Sequence, residues 1–518
     1  MTLDPLKRQL VWDRLLAIVE EQAQVLMRTA FSTVVREAGD LSAGVFDPRG
    51  RMLAQAVTGT PGHVNAMAAS VAKFLAAVPT LEPGDVLMTN DPWDGTGHLN
   101  DFTLVSPVFY QDQLVALFAS TSHIADVGGR GFGPDANELF EEGIRIPISH
   151  LYRAGVRDET LLRLLLANVR DPVVAEGDLF SLVACNDAGS RALIEAMTAF
   201  GLGDLSTIAA HILARSEAAM GAAIAELPNG TARSTLTIDG YDKPLQLGCE
   251  LSIEDDRIRV DLIDVPPPSP FGINVPLPYT EAYASFGVRC LVGGDVPNNA
   301  GSLARVEVNA PAGSLLAAEP PRAVSARHAV GQMLPDLVFN ALAQLLPGRI
   351  PAEGASCIWN PVFRGRDFVI NPIFNGGTGA RPRPADAGGG KDGLATTAFP
   401  SGVRTTSTEV NEATAPLLFL ERQLALESGG NGALRGGDGQ RIVVMHRRQE
   451  AFWVSRMFDR VHHPAAGRDG GAAGAAGIVL IEVDGEQRML SPKGLDEVPA
   501  GARLVLQTPG GGGYQSPD

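Results

Sequence analysis

The hydrophobic texture of this chain shifts near residue 230, and that shift limits the folds open to it. Before it, the long apolar patterns recur mainly at helical spacing. Residues 4–30 open with Asp4-Pro5, a capping acid followed by proline at the first helical position, and continue through Leu15, Ile18, Val19, Val25 and Leu26. Residues 64–78, 158–168, 187–201 and 204–226 are expected helices as well. After Pro228-Asn229-Gly230, the stretch STLTIDGYDKPLQLGCELSIEDDRIRVDLIDV alternates in the manner of strands broken by turns, with helices returning at 279–292 and 324–346. The spacing predicts a mixed α+β, multi-lobed protein with a soft boundary at 228–232: a region 1–230 and a strand-rich region 231–518.

A length of 518 residues calls for two or three cores. Fifty-eight glycines and 36 prolines point to many tight turns, and glycine dominates from Gly376 onward. A formal charge of −17 argues against a nucleic-acid partner, since phosphate binding needs clustered Lys and Arg. No apolar run reaches the roughly 18 residues of a membrane span, and the N-terminus interleaves charges with its apolar residues, so a cytoplasmic location is expected. Cys185, Cys249, Cys290 and Cys357 are too widely spaced for a zinc pair and are expected as buried thiols.

The chemistry concentrates in Asn90-Asp91-Pro92-Trp93-Asp94-Gly95-Thr96-Gly97-His98-Leu99-Asn100-Asp101. Pro92, Gly95 and Gly97 disfavour a helix, so His98 and Asp101 project from a loop entering a strand. Phe102–Phe109 and Leu114–Ser122 read as strands joined by the two-residue turn Gln111-Asp112. Pairing about that turn sets Asp101 across from Ser122 and Asn100 across from His123, which gathers His98, Asp101 and His123 at one end of a hairpin. Two imidazoles and a carboxylate suit an open Zn²⁺, Mn²⁺ or Fe²⁺ site. On spacing alone, the alternative that each histidine is an ordinary loop residue stands. Asp126 is a further ligand or a group orienting His123.

Other residues carry weaker signals. Asp40, at the mouth of a hairpin over Leu41–Val45 and Met52–Gln55, either caps a turn or serves the site. His63, before the helix at 64–78, either lines a substrate pocket or plays no part. Gly388-Gly389-Gly390-Lys391-Asp392 lacks the Ser or Thr and the preceding strand of a phosphate loop, so no nucleotide site is expected in this chain. Gly510–Gly513 reads as a flexible run or a backbone cradle. His446, His462 and His463 read as surface groups.

An ordered series of unusual motifs then gives the chain a likeness. GDLSAGVFDPRGRMLAQA, NDPWDGTGHLNDFTLVSPVF, TSHIADVGGRGFG with Glu142-Gly143, LANVRDP, VPNNAG, NGGTGARP, LESGGNGALRGGDG and TPGGGGY together resemble the hydantoinase B family, which includes subunits of N-methylhydantoinase, oxoprolinase, caprolactamase and the ketone carboxylases. The resemblance implies a hydrolytic subunit acting beside a separate ATP-binding, hydantoinase A-type subunit in a hetero-oligomer, on a hydantoin, oxoproline or lactam ring. It implies one zinc- or manganese-class ion on His98, Asp101 and His123, with Asp40 at the site and Asp40 or Asp126 as base. ATP would be used by the partner. A ketone carboxylase subunit and a scaffold that merely stabilises the partner are the alternatives. The C-terminus, Tyr514-Gln515-Ser516-Pro517-Asp518, departs from the family's usual ending.

Overall fold

A computed structural model describes residues 4–58, 60–382 and 389–517. Helix α1 (Pro5–Thr29) starts where Asp4 caps the amide of Leu6 and Pro5 occupies the first turn. Its buried stripe, Val11, Trp12, Leu15, Ile18, Val19, Gln22, Ala23 and Leu26, follows the helical repeat and faces a long helix, which we number after α2 (Thr33–Arg36), α3 (Pro61–Ala77) and α4 (Glu159–Ala167) as α5 (Pro172–Phe200). The sequence predicts only 187–201 of α5. Asp171 caps Val174 and Pro172 starts the helix fifteen residues earlier, so the Gly177-Asp178 pair is absorbed within it. Gly177 admits the Phe31 ring, and Asp178 accepts from the amides of Phe31 and Ser32.

These helices cover a seven-stranded antiparallel sheet in the order β2 (Met52–Gln55), β1 (Leu41–Phe46), β5 (Gln113–His123), β4 (Asp101–Tyr110), β3 (Val86–Thr89), β6 (Ser149–Arg153), β7 (Val156–Arg157). Both faces are buried. Leu104 and Phe118 face the α1/α5 side, whereas Val105, Leu117 and Ala119 pack with Met67, Val71 and Phe74 of α3. Gln22 bridges the layers, donating to the carbonyl of Ala119 and the Asn186 side chain at 3.2 and 2.8 Å.

The β4–β5 hairpin corrects the expected register by one residue. Its turn is the predicted one, with Gln111 and Asp112 at φ 50° and 64° as a two-residue hairpin requires. Tyr110 pairs with Gln113 and Phe109 with Leu114, but a bulge then leaves Val115 over, and Val108 pairs with Ala116. From there to the hairpin's end every pair is displaced, so Asp101 lies directly opposite His123, and Phe102 opposite Ser122.

Helix α6 (Ser206–Ala225) gives Ile208, Ala209 and Ile212 to this first core and Met220 and Ile224 to the next. The second core lies under a four-stranded sheet, β11 (Val306–Asn309), β10 (Arg257–Ile263), β9 (Leu245–Glu254), β8 (Gly230–Ile238), covered by α7 (Leu277–Arg289) and the helix Leu334–Leu345. The helix expected over 324–346 is shorter. Val324 and Ser325 instead donate their amides to Glu142 of the first lobe, and a single turn His328–Gly331 precedes Leu334–Leu345.

The remaining strands form two sheets around a third core that includes Trp359, Phe374, Phe452, Leu504 and Leu506. One orders Val369–Ile370, Val362–Arg364, Phe452–Met457 and Lys493–Val498; the other orders Leu417–Ala425, Gly439–His446, Arg503–Gln507, Ile478–Val483 and Glu486–Met489.

The glycine-rich segments knit together rather than flex. Gly511 donates to Gly437 and accepts from Gly430, Gly437 donates to Thr378, and Gly377 donates to Pro509, so three distant stretches share one backbone hydrogen-bond lattice. Gly510–Gly513 is buried there, with the amides of all four glycines engaged, which excludes both a loose end and a backbone cradle. Of the 388–392 stretch, Gly388 lies outside the described residues, and Lys391 pairs backbone to backbone with Arg381. His446 is buried, accepting from the Arg448 and Glu450 amides and stacking on Phe368, so its expected surface position is corrected. His463, partly buried, contacts Asp239, while His462 is exposed. Three cysteines are buried and Cys290 is exposed. No helix among the described residues is long and apolar enough to cross a membrane.

Candidate metal centre

The end of the β4–β5 hairpin points into a cavity of about 30 Å³ between the first and second lobes. Asp40, Thr60, His63, His98 and His123 line it from one side, and Phe132, Tyr279, Arg327, His328, Gln332 and Asn360 from the other. Ligand atoms of His98, Asp101 and His123 lie within 4.8 Å of one another, and all three residues are buried.

Asp101 organises the cluster by dividing its two oxygens. Oδ2 accepts from Thr96 Oγ1 at 2.9 Å, from Arg327 Nη2 at 2.6 Å and from His63 Nε2 at 2.9 Å. Oδ1 meets only imidazoles: His98 Nε2 at 2.6 Å and His123 Nδ1 at 3.4 Å. Burial would raise the Asp101 pKa, but His63, His98 and Arg327 outweigh it and hold the carboxyl well below the usual range.

The tautomer of His98 follows from its other contact. Nδ1 lies 3.0 Å from the Ser325 carbonyl, which can only accept, so Nδ1 carries the proton. Burial, reinforced by the Arg327 charge, pushes the His98 pKa down to about 4, so the ring is neutral near pH 7 and Nε2 presents a lone pair. The 2.6 Å approach of Nε2 to Asp101 Oδ1 is one that a shared cation, a proton or a metal ion, holds together. Two imidazole nitrogens and a carboxylate oxygen grouped this closely fit a divalent ion, and Thr96, Ser325 and Arg327 hold His98 and Asp101 in orientation.

His63, in the first turn of α3, joins the cluster. Thr60, the N-cap of α3, leaves that helix uncapped and donates instead to Asp40 Oδ1 at 2.8 Å. His63 Nδ1 lies 3.5 Å from the same oxygen, so the ring stands between Asp40 and Asp101. Burial would lower its pKa, yet the two carboxylates together hold it above the ordinary value. Asp40 retains 18% side-chain exposure and reaches the cavity. Asp126 does not line it: its carboxylate accepts from the backbone and guanidinium of Arg170 and from the Gly128 amide.

Sequence reasoning missed Arg327, His328, Phe132 and Glu142 as parts of this centre. Arg327 lies on the far lobe; its Nε donates to the Thr96 carbonyl and its guanidinium stacks on Tyr279 at 4.2 Å. Gly97, at φ +103°, leaves it room, because a Cβ there would lie 2.6 Å from Arg327 Nε. His328 Nε2 donates to the side-chain oxygen of Asn360 at 2.9 Å. The adjacent Arg327-His328 pair, basic and aromatic within an apolar stretch, was the available signal.

The chain matches the family model described as Hydantoinase B/oxoprolinase over residues 4–517. It belongs to that family. Within this enzyme family, caprolactamase subunit beta of Pseudomonas jessenii is 29% identical, covering 100% of this chain and 91% of the relative. The crystal structure of the ATP-dependent caprolactamase from the same organism superposes with a TM-score of 0.87 at 26% identity, over 100% of this chain and 92% of that one. 5-Oxoprolinase 1 of Arabidopsis thaliana is 30% identical over 97% of this chain, which spans only 41% of that longer protein. A nucleotide-free acetone carboxylase shares the fold, with a TM-score of 0.87 at 17% identity over 99% of this chain and 76% of its own.

Glu142, within a stretch shared by the family resemblance, secures the wall that carries Arg327. Its Oε1 accepts from the amides of Val324 and Ser325 at 2.7 and 2.8 Å, while Oε2 is buried without a partner. Burial, only partly offset by those amides and by Arg327, pushes its pKa up to about 8. The folded state thus holds a proton that the unfolded state releases near its ordinary carboxyl pKa of about 4.3. Folding stability is expected to fall as pH rises from there toward 8 and then to level. In Glu142→Gln this decline should be largely gone, as chemical denaturation at a series of pH values would read.

Proposed function

We propose that this chain is the metal-dependent hydrolytic subunit of an ATP-dependent cyclic amidase, opening a hydantoin, oxoproline or lactam ring beside a separate hydantoinase A-type subunit in a hetero-oligomer. The observation that carries the reading is the divided carboxylate of Asp101, saturated on Oδ2 and facing two imidazole nitrogens on Oδ1. His98, Asp101 and His123 would hold a divalent ion of the zinc or manganese class, which supplies Lewis acidity toward water and a carbonyl oxygen.

The chain's own residues do the rest. Arg327, Thr96 and His63 keep Asp101 ionised and fixed in orientation. Asp40, the carboxylate that lines the cavity without being spent on an arginine, accepts the proton of the attacking water. His63, bridging Asp40 and Asp101, holds a proton between the two carboxylates and orients Asp40. Asp126 has no part in this scheme, since its carboxylate is committed to Arg170. The amide carbonyl is a poor electrophile, and phosphorylation of its oxygen by the partner, with ATP leaving as ADP, makes attack feasible. The names of the relatives, a caprolactamase subunit and a 5-oxoprolinase, support this choice of substrate class.

Co-purified with its ATP-binding partner, the protein is expected to release ADP when given a hydantoin, 5-oxoproline or caprolactam. Release driven instead by acetone or acetophenone with bicarbonate would assign the carboxylase reading, which the shared fold with acetone carboxylase motivates. Unchanged turnover in His98→Ala would leave a scaffold role.

A further inference from the structure

Phe132 stands between two spaces. Its ring packs on His98, His123 and His328, with centroids 5.6, 5.1 and 5.7 Å away, and closes the metal cavity. The same residue lines a second, open pocket of about 290 Å³ on its other side. The closed cavity has room for about one water, so a ring substrate cannot already be inside it. The outer pocket is of the size that small ligands use.

The outer pocket is built from strand register. Val362 pairs with Ser455, and Ser455 with Leu495, so these three side chains form a row across neighbouring strands, and Arg364 follows two residues after Val362 on the same face. Facing them is the loop Gly128–Gly133, in which Gly128, Gly129 and Gly131 have φ of 83°, 55° and 83°. Gly131 and Gly133 lie close against the Arg364 guanidinium and the Ser455 hydroxyl, so that a Cβ at either position would have to displace those side-chain ends.

Its polar groups are poised and underused. Ser455 Oγ is buried with no hydrogen-bond partner, and so is Arg364 Nε. Arg364 Nη2 donates to the Arg130 carbonyl at 3.1 Å, and among the described residues Arg364 forms no salt bridge. The other charges are already engaged: Arg130 pairs with Glu141, and Asp135 accepts from Tyr241 at 2.6 Å. Val362, Leu495, Ala136 and the Phe132 ring supply an apolar wall.

We propose that this pocket is the antechamber of the metal cavity and takes a small ring bearing a phosphoryl group, with Arg364 and Ser455 on the phosphoryl oxygens, the ring against Val362 and Leu495, and Phe132 as the partition. The ligand class rests on the cyclic amidase reading, in which the partner delivers a phosphorylated ring. A guanidinium without a carboxylate partner matches a phosphoryl group by paired N–H donors.

Inorganic phosphate titrated calorimetrically into the full chain needs neither metal nor partner, so this test fails or succeeds apart from the hydrolytic reading. Phosphate is expected to bind wild type and the surface variant Arg191→Ala alike, and about tenfold more weakly to Arg364→Ala. Arg364→Lys should recover part of the loss, Ser455→Ala should weaken binding if the arginine variants do not fold, and acetate should bind less well than phosphate. No phosphate binding by wild type, equal binding by the Arg364 and Ser455 variants, or acetate matching phosphate would overturn the proposal.

Discussion

Asp101→Asn, His98→Ala and His123→Ala are each expected to purify with little divalent metal and to lose turnover with it. Removing an outer-shell partner of a metal ligand costs about 10–100-fold in affinity, and removing one of only three protein ligands should cost more. Asp101→Asn has the widest reach, because one carboxylate serves both shells. The amide keeps an oxygen and nearly the same volume, but it loses the negative charge that Arg327 and His63 face and that the two imidazoles require. Arg327 would then be a buried cation without its counter-ion, a change that costs about 3–5 kcal/mol where it has been measured. Metal content by mass spectrometry and thermal unfolding, taken together, separate the two effects: His98→Ala should lose metal with a modest change in melting temperature, and Asp101→Asn should lose both.

Gly377→Ala is expected to prevent stable folding of the C-terminal lattice. A Cβ at Gly377 would overlap the Gly437 carbonyl, which is backbone held by its neighbours and cannot swing aside as a side chain can. Gly436, Gly510 and Gly511 are in the same position against the carbonyls of Gly511, Ser428 and Thr378. Overpacking of a well-packed interior costs about 1–3 kcal/mol when side chains can adjust, and more when only backbone can. Gly203→Ala, where nothing lies within 4 Å, is the control and should behave as wild type to within about 0.5 kcal/mol. Soluble yield and thermal unfolding of the two variants read the difference.

The contrast between those glycines explains what the sequence could and could not reveal. Composition alone reads a glycine run as a loose segment, because it reports the absence of side chains and not the presence of other backbones within hydrogen-bond reach. The helical stripe of α1 and the alternation in β8–β10 were legible, since each depends on spacing within one element. The hairpin turn was legible too, while the bulge at Val115 was not, and that one residue decides whether Ser122 or His123 faces Asp101. His98, Asp101 and His123 could be grouped because they lie on one hairpin. Arg327 could not, since it reaches Asp101 from 226 residues away through a lobe contact that no local pattern encodes. Asp126 was misleading for the opposite reason: proximity in sequence to His123 suggested the site, but its carboxylate turns to Arg170.

The arrangement implies an order of importance. Oδ1 of Asp101 and the two imidazoles form the proposed donor set, Arg327, Thr96, His63 and Ser325 hold those side chains in place, and Glu142 fixes the segment that supplies Arg327 and Ser325. X-ray absorption at the edge of the ion bound by the purified wild-type protein tests the donor set directly. It should report two imidazole nitrogens and at least one carboxylate oxygen in the inner shell, with the imidazole signal reduced in His123→Ala. A stoichiometric ion whose inner shell lacks imidazole, or protein that takes up no divalent metal when folded, would contradict it.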